Sequence, residues 1–157
     1  MTGPAAVGAM PDTMTAPTME PAFACRAYLT RRLADRGITE QDLPVGSTEP
    51  MGTPRRYVLL NQVDSRRRGP LADYMLRARV FDEDVEKCGR HTTLLHAALL
   101  GAAQVKVVFP DVGELWVTGT EHVSGPSDID DEAAGLFGQA VTVFWTVALK
   151  PIREATP

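Results

Sequence analysis

Cysteine is scarce in this chain: Cys25 and Cys88 are the two among 157 residues. Each falls on the apolar stripe of an expected helix, so both are read as buried free thiols. Nothing points to an oxidising compartment, and a reducing cytoplasm is the expected setting. Long apolar runs are missing as well. None approaches the roughly 20 residues that cross a membrane, so no membrane segment is expected. A basic start followed by a continuous apolar stretch is also missing, and no signal peptide is expected. There is no GxSxG, no glycine-rich phosphate loop, and no serine or cysteine in an activated context. Histidine is limited to three residues. Cys88, His91 and His96 share one expected helix, but at 100° per residue the two histidines point about 140° apart and do not converge on one ion. These absences speak against an enzyme, a metal centre or a bound cofactor.

What remains is an ordinary globular composition, 44% hydrophobic and 23% charged, in a length that suits one domain with its own core. The net charge is −4, which argues against general nucleic-acid binding. Its distribution is uneven. Residues 55–90 hold nine Lys/Arg and six Asp/Glu, a local +3, whereas residues 111–157 hold two and eight, a local −6. Such a split suits solvated faces, or a subunit whose opposite sides attract when copies pack together.

Residues 1–19 are rich in Met, Thr, Pro, Ala and Gly without any period, and read as a disordered arm. A helix is predicted over residues 20–36. Thr18 is placed to cap it, Pro21 suits its first turn, Gly37 stops it, and Cys25, Tyr28, Leu29 and Leu33 form its inner face. A long loop rich in proline and glycine covers residues 37–55. A strand at 56–63 (RYVLLNQV) and a loop at 64–70 (DSRRRGP) follow. In the next strand, 72–81, Tyr74, Leu76, Ala78 and Val80 share one face, and Met75, Arg77, Arg79 and Phe81 share the other. A second helix runs over 84–103, with Asp82 or Asp84 as cap. Residues 105–109 read as a linker or short strand. Strands are predicted at 114–124 and 139–149, separated by the acidic loop SDIDDEAAG. Residues 154–157 form a tail. The expected fold class is therefore α+β: two helices packed on a mainly antiparallel sheet of about four strands, in the order α-β-β-α-β-β, over residues 20–153.

Two charged clusters are candidate sites. Arg66, Arg67 and Arg68 form the densest basic group, and Arg77 and Arg79 extend it along the following strand. A solvated turn competes with contact to an acidic neighbour or a polyanion. No aromatic stacking motif accompanies the arginines, so a DNA-reading module is not indicated. Asp128, Asp130, Asp131 and Glu132 form the acidic group. It lacks the glycine and the distant glutamate of a calcium loop.

The order of elements resembles the tail terminator (tail-completion) proteins of long-tailed bacteriophages, particularly phages of actinobacteria. The likeness is carried by the N-terminal helix and its Pro/Gly-rich loop, by RYVLLNQV, by LADYMLRARVFDED leading into DVEKCGRHTTLLHAALL, and by WVTGTEHVSGPSDIDDE before QAVTVFWTVALKP. It covers residues 20–153. The resemblance implies a structural virion protein at the tail–neck junction, assembled in the host cytoplasm. It implies a homo-oligomeric ring, commonly a hexamer, that caps the tail tube protein, stops its polymerisation and joins it to the head-completion or connector protein. DNA would meet it by passage through the lumen. Neither catalysis nor a cofactor is implied, and a head-to-tail ring contact would use the arginines on one subunit and residues 128–132 on the next. Another head–tail connector protein remains open, as does a small α+β ligand-binding or enzymatic domain.

Overall fold

The computed structural model describes residues 15–52, 55–109, 113–129 and 135–151. Helix α1 spans Pro21–Asp35. Proline at its first turn has no N–H to lose there, and Glu20 stands at the cap position without a side-chain cap bond. Thr18, the expected cap, instead donates to the Glu114 carbonyl. At the other end Gly37 adopts φ 80°. Its N–H donates to the Ala34 carbonyl and the Ile38 N–H donates to Leu33, the paired bonds of a Schellman stop. Helix α2 spans Val85–Leu100, and Asp84 caps it by accepting from the N–H groups of Glu86 and Lys87. Replacing Asp84 with alanine is expected to cost about 1 kcal/mol in urea unfolding, whereas asparagine should retain most of the cap.

The strands are β1 (Thr15–Ala16), β2 (Val45–Gly46), β3 (Arg56–Arg68), β4 (Leu71–Asp82), β5 (Val105–Phe109), β6 (Gly113–Asp128), β7 (Phe137–Ala148) and β8 (Lys150–Pro151). Six of them form one sheet in the order β2-β3-β4-β7-β6-β5, and β1 pairs with β8 in a second, two-stranded sheet. Every pairing is antiparallel except β2 with β3.

Both helices contribute to one apolar core. Leu29 and Leu33 of α1 and Leu95 and Leu99 of α2 meet Leu60, Leu76, Val143 and Trp145 of the sheet. The alternation in β4 is realised: Tyr74, Leu76, Ala78 and Val80 are buried and Arg77 is exposed. Trp145 sits at the centre. Its indole N–H donates to the Leu99 carbonyl at 3.0 Å, and the Tyr28 ring meets it edge-on at 5.6 Å. The opposite face of the sheet carries a small cluster of Tyr57, Leu59 and Phe81.

The expected four-strand α+β fold is corrected. Among the described residues half are strand and 24% are helix, with eight strands in two sheets, so the fold is mostly β. Three physical reasons account for the difference. The Pro/Gly-rich loop at 37–55 contains β2, too short to show a period. Residues 105–109 are a full edge strand. The segments 15–16 and 150–151 pair across almost the whole chain, a partnership that no local pattern signals. The arm expected over residues 1–19 is described only from Thr15, and there Met19 is buried in the core. The tail at 154–157 lies outside the described residues.

Candidate charged interface

The Arg66–Arg68 segment is not a loop. β3 runs through Arg68, and the turn to β4 is Gly69–Pro70 alone, with Gly69 at φ 63° as a primed hairpin turn requires. The strand expected at 56–63 therefore continues through residues 64–68, an extension that the sequence hides because residues 62–68 are exposed throughout. With water on both sides, no apolar alternation develops.

The hairpin register places Arg66 opposite Asp73 and Arg68 opposite Leu71. Across β4, Asp73 pairs with Thr146 of β7. Four hydrogen bonds converge on the Asp73 carboxylate. Arg66 Nε and Arg68 Nε each donate to Oδ2 at 2.8 Å. Arg68 Nη2 and Thr146 Oγ1 donate to Oδ1 at 3.1 and 2.6 Å. Asp73 is only 2% exposed, while the side chains of Arg66 and Arg68 are 58% and 53% exposed. The carboxyl is held far below the usual carboxylate range, first by the Arg68 hydrogen bond and then, against the opposing effect of burial, by Thr146 and Arg66. The same bond raises Arg68. Arg66 also lies over the Phe144 ring, 4.9 Å from its centre.

This clamp orients the guanidiniums without consuming them. Arginine has five N–H donors, and Asp73 takes one from Arg66 and two from Arg68. The remaining donors belong to side chains that are more than half exposed. Arg67 points to the helix side of the sheet and donates to the hydroxyl and carbonyl of Thr15. Arg77 and Arg79 lie on the open face of β4. Neither has a carboxylate partner among the described residues, and Arg79 reaches only Asn61 Oδ1 at 3.5 Å.

Of the acidic group, Asp128 is exposed at the end of β6 and accepts from Gln139 Nε2 at 3.1 Å. Asp130, Asp131 and Glu132 lie outside the described residues. Asp128 has no arginine partner among the described residues, although Arg79 stands only two strands away and one residue along β4, about 10 Å across the sheet. Arg66 and Asp128 are three strands apart and seven residues apart along β4, which is about 14 Å by about 23 Å. Each stands on an uncovered length of strand. Among the described residues β2 pairs with β3 only at Val58 and Leu59, and β5 pairs with β6 only up to Val117.

The thiols are both free and buried, and burial raises both. Cys88 Sγ donates to the Val80 and Phe137 carbonyls at 3.4 and 3.6 Å, not to a histidine. His91 Nδ1 faces the buried Asp82 Oδ2 at 3.7 Å, and neither atom has a hydrogen-bond partner. Burial lowers His91, against the pull of Asp82. Asp82 is therefore not a cap residue by side chain to the helix itself; its Oδ1 accepts from the Asp84 N–H.

Asp73 and Thr146 are site residues that the sequence pattern does not single out. Extending the alternation Met75, Arg77, Arg79 back by two residues would have put Asp73 on the arginine face, but its partners required the register. In the comparisons with known proteins, no family model and no curated protein matches the chain.

Proposed function

We propose that this chain is a structural assembly subunit whose identical copies join head to tail into a closed ring. In the reading that the phage resemblance favours, the ring caps a tail tube, stops its polymerisation and joins it to the head connector. The observation that carries the assembly reading is the charge geometry. A clamped basic strand end, Arg66–Arg68, and an acidic strand end at Asp128 sit on opposite uncovered edges of one sheet. They are too far apart to neutralise each other in one subunit, and a heterologous contact between copies satisfies both. Orienting the guanidiniums in advance lowers the ordering cost of such a contact. Register shifts in β3 and β6 and the edge arginines guard these strands against indiscriminate strand addition, so the contact is one of side chains.

The acidic side is the place to test it. Arg66 and Arg68 hold their own Asp73, and glutamate there would repel that carboxylate within the subunit. Reversal of Asp128, Asp130 and Asp131 to lysine leaves the clamp intact. Light scattering of wild type should show an oligomer that negative-stain microscopy resolves as rings, and the triple variant should fall to a smaller species. Wild-type protein that stays monomeric even with tube protein overturns the ring, while rings unaltered in the variant overturn this contact. Salt-sensitive retention of DNA by wild type, lost in Arg77→Glu/Arg79→Glu with rings intact, would assign the open face to the lumen instead.

A further inference from the structure

A second convergence of chemistry lies on the helix side, away from the arginines. His96 of α2 and His122 of β6 are 26 residues apart in sequence, yet His96 Nε2 and His122 Nδ1 stand 3.0 Å apart with ring centroids at 5.0 Å. His122 is exposed and His96 is half-buried beside it, so the cleft between the rings opens to water. Without a cation the two rings share one hydrogen bond, one nitrogen donating and the other accepting.

The same placement suits a metal. Two nitrogens 3.0 Å apart, each about 2.1 Å from a common ion, subtend about 90° at it, the angle between cis ligands of an octahedral or square site. Opening the pair by about 0.4 Å gives the tetrahedral angle that zinc adopts. Two side chains on different elements, His122 exposed and His96 half-buried, can make so small an adjustment by side-chain rotation. We infer that His96 and His122 form a two-histidine site for a divalent transition cation of the zinc or nickel type, with water in its remaining positions. Among the described residues no cluster supplies a third side-chain ligand, which is why water completes it.

The location gives the site a consequence. β6 leaves its last pairing with β5 at Val117 and continues to Asp128 with β7 as its sheet partner. A cation held by His96 and His122 would fasten this projecting length to α2, and with it the acidic end of the strand. The inference stands independently of the ring.

Thermal unfolding of tag-free full-length protein tests it, with zinc chloride or nickel chloride and with EDTA as reversal. A cation at a hundredfold excess over its Kd should raise Tm by about 5–10 °C. His96→Gln and His122→Gln should each abolish the rise while circular dichroism stays that of wild type. No rise with either cation in wild type, or an equal rise in both variants, overturns the site. X-ray absorption of zinc-loaded wild type reads the same question without a substitution. Two imidazoles per zinc is the expected shell, and a sulfur ligand or fewer than two imidazoles overturns it.

Discussion

Arg66→Ala/Arg68→Ala should destabilise the protein by about 2–4 kcal/mol, because Asp73 loses three of the four hydrogen bonds that hold its carboxylate. Asp73→Asn should cost less, about 1.5–3 kcal/mol, since the arginines it releases are already half in water and re-solvate freely. The asymmetry is the informative part. If Asp73→Asn cost more than the double alanine variant, the buried charge would not be what the clamp serves. Urea unfolding of the two variants against wild type makes the comparison.

Acid provides a second reading of the same group. The folded carboxyl of Asp73 lies far below its unfolded value of about 3.9. Below that unfolded value the unfolded chain takes up a proton that the folded chain refuses. The stabilisation is therefore complete above about pH 5 and is lost as pH falls toward the folded value. Asp73 alone should contribute a slope of up to about 1.4 kcal/mol per pH unit below pH 4. In Asp73→Asn that part of the acid limb should vanish, leaving a shallower loss between pH 4 and pH 2. A limb as steep as wild type would remove Asp73 as the responsible group.

Trp145→Ala should cost a similar about 3–5 kcal/mol, for a different reason. The indole is fully buried where both helices meet the sheet, and its removal leaves a void that Tyr28, Leu99 and Val143 line from three elements. The Leu99 carbonyl also loses its indole donor at the end of α2. Trp145→Phe removes less volume and keeps an aromatic ring beside Tyr28, so its cost should be smaller, about 2–3 kcal/mol, from the lost hydrogen bond and the smaller void together. Trp116 remains as a fluorescent probe, exposed on the open face near Lys106. Equal costs for alanine and phenylalanine would mean that the site is not packed around the indole.

These effects divide along the line between what local pattern reveals and what it hides. Trp145 lies in a strand expected at 139–149, where Val141, Val143, Trp145 and Val147 alternate within an apolar segment and all four are buried. The arginine segment was legible as a charge cluster but not as a strand. Its alternation carries polar residues on both faces, and hydrophobic period appears only where one face is dry. The same reason hid the far end of β6, where residues 121–128 stand mostly in water. Pairing the His96 and His122 rings was out of reach for helical geometry, which could relate His96 only to its own helix.

By itself the sequence determined the proline start and glycine stop of α1, the aspartate cap of α2, the inner faces of α1 and β4, the burial of both thiols, and the uneven distribution of charge. All of these follow from neighbours within a few residues, where backbone preference and the burial of one face act directly. Only the tertiary structure decided that the fold is mostly β, that Asp73 sits under Arg66 and Arg68, that Thr146 completes the clamp from 73 residues away, and that the basic and acidic strand ends stand on opposite edges. Those depend on strand register and strand order. Register is chosen by the packing of the whole buried face against the two helices, and the polar residues of the open face take whatever partners that choice delivers.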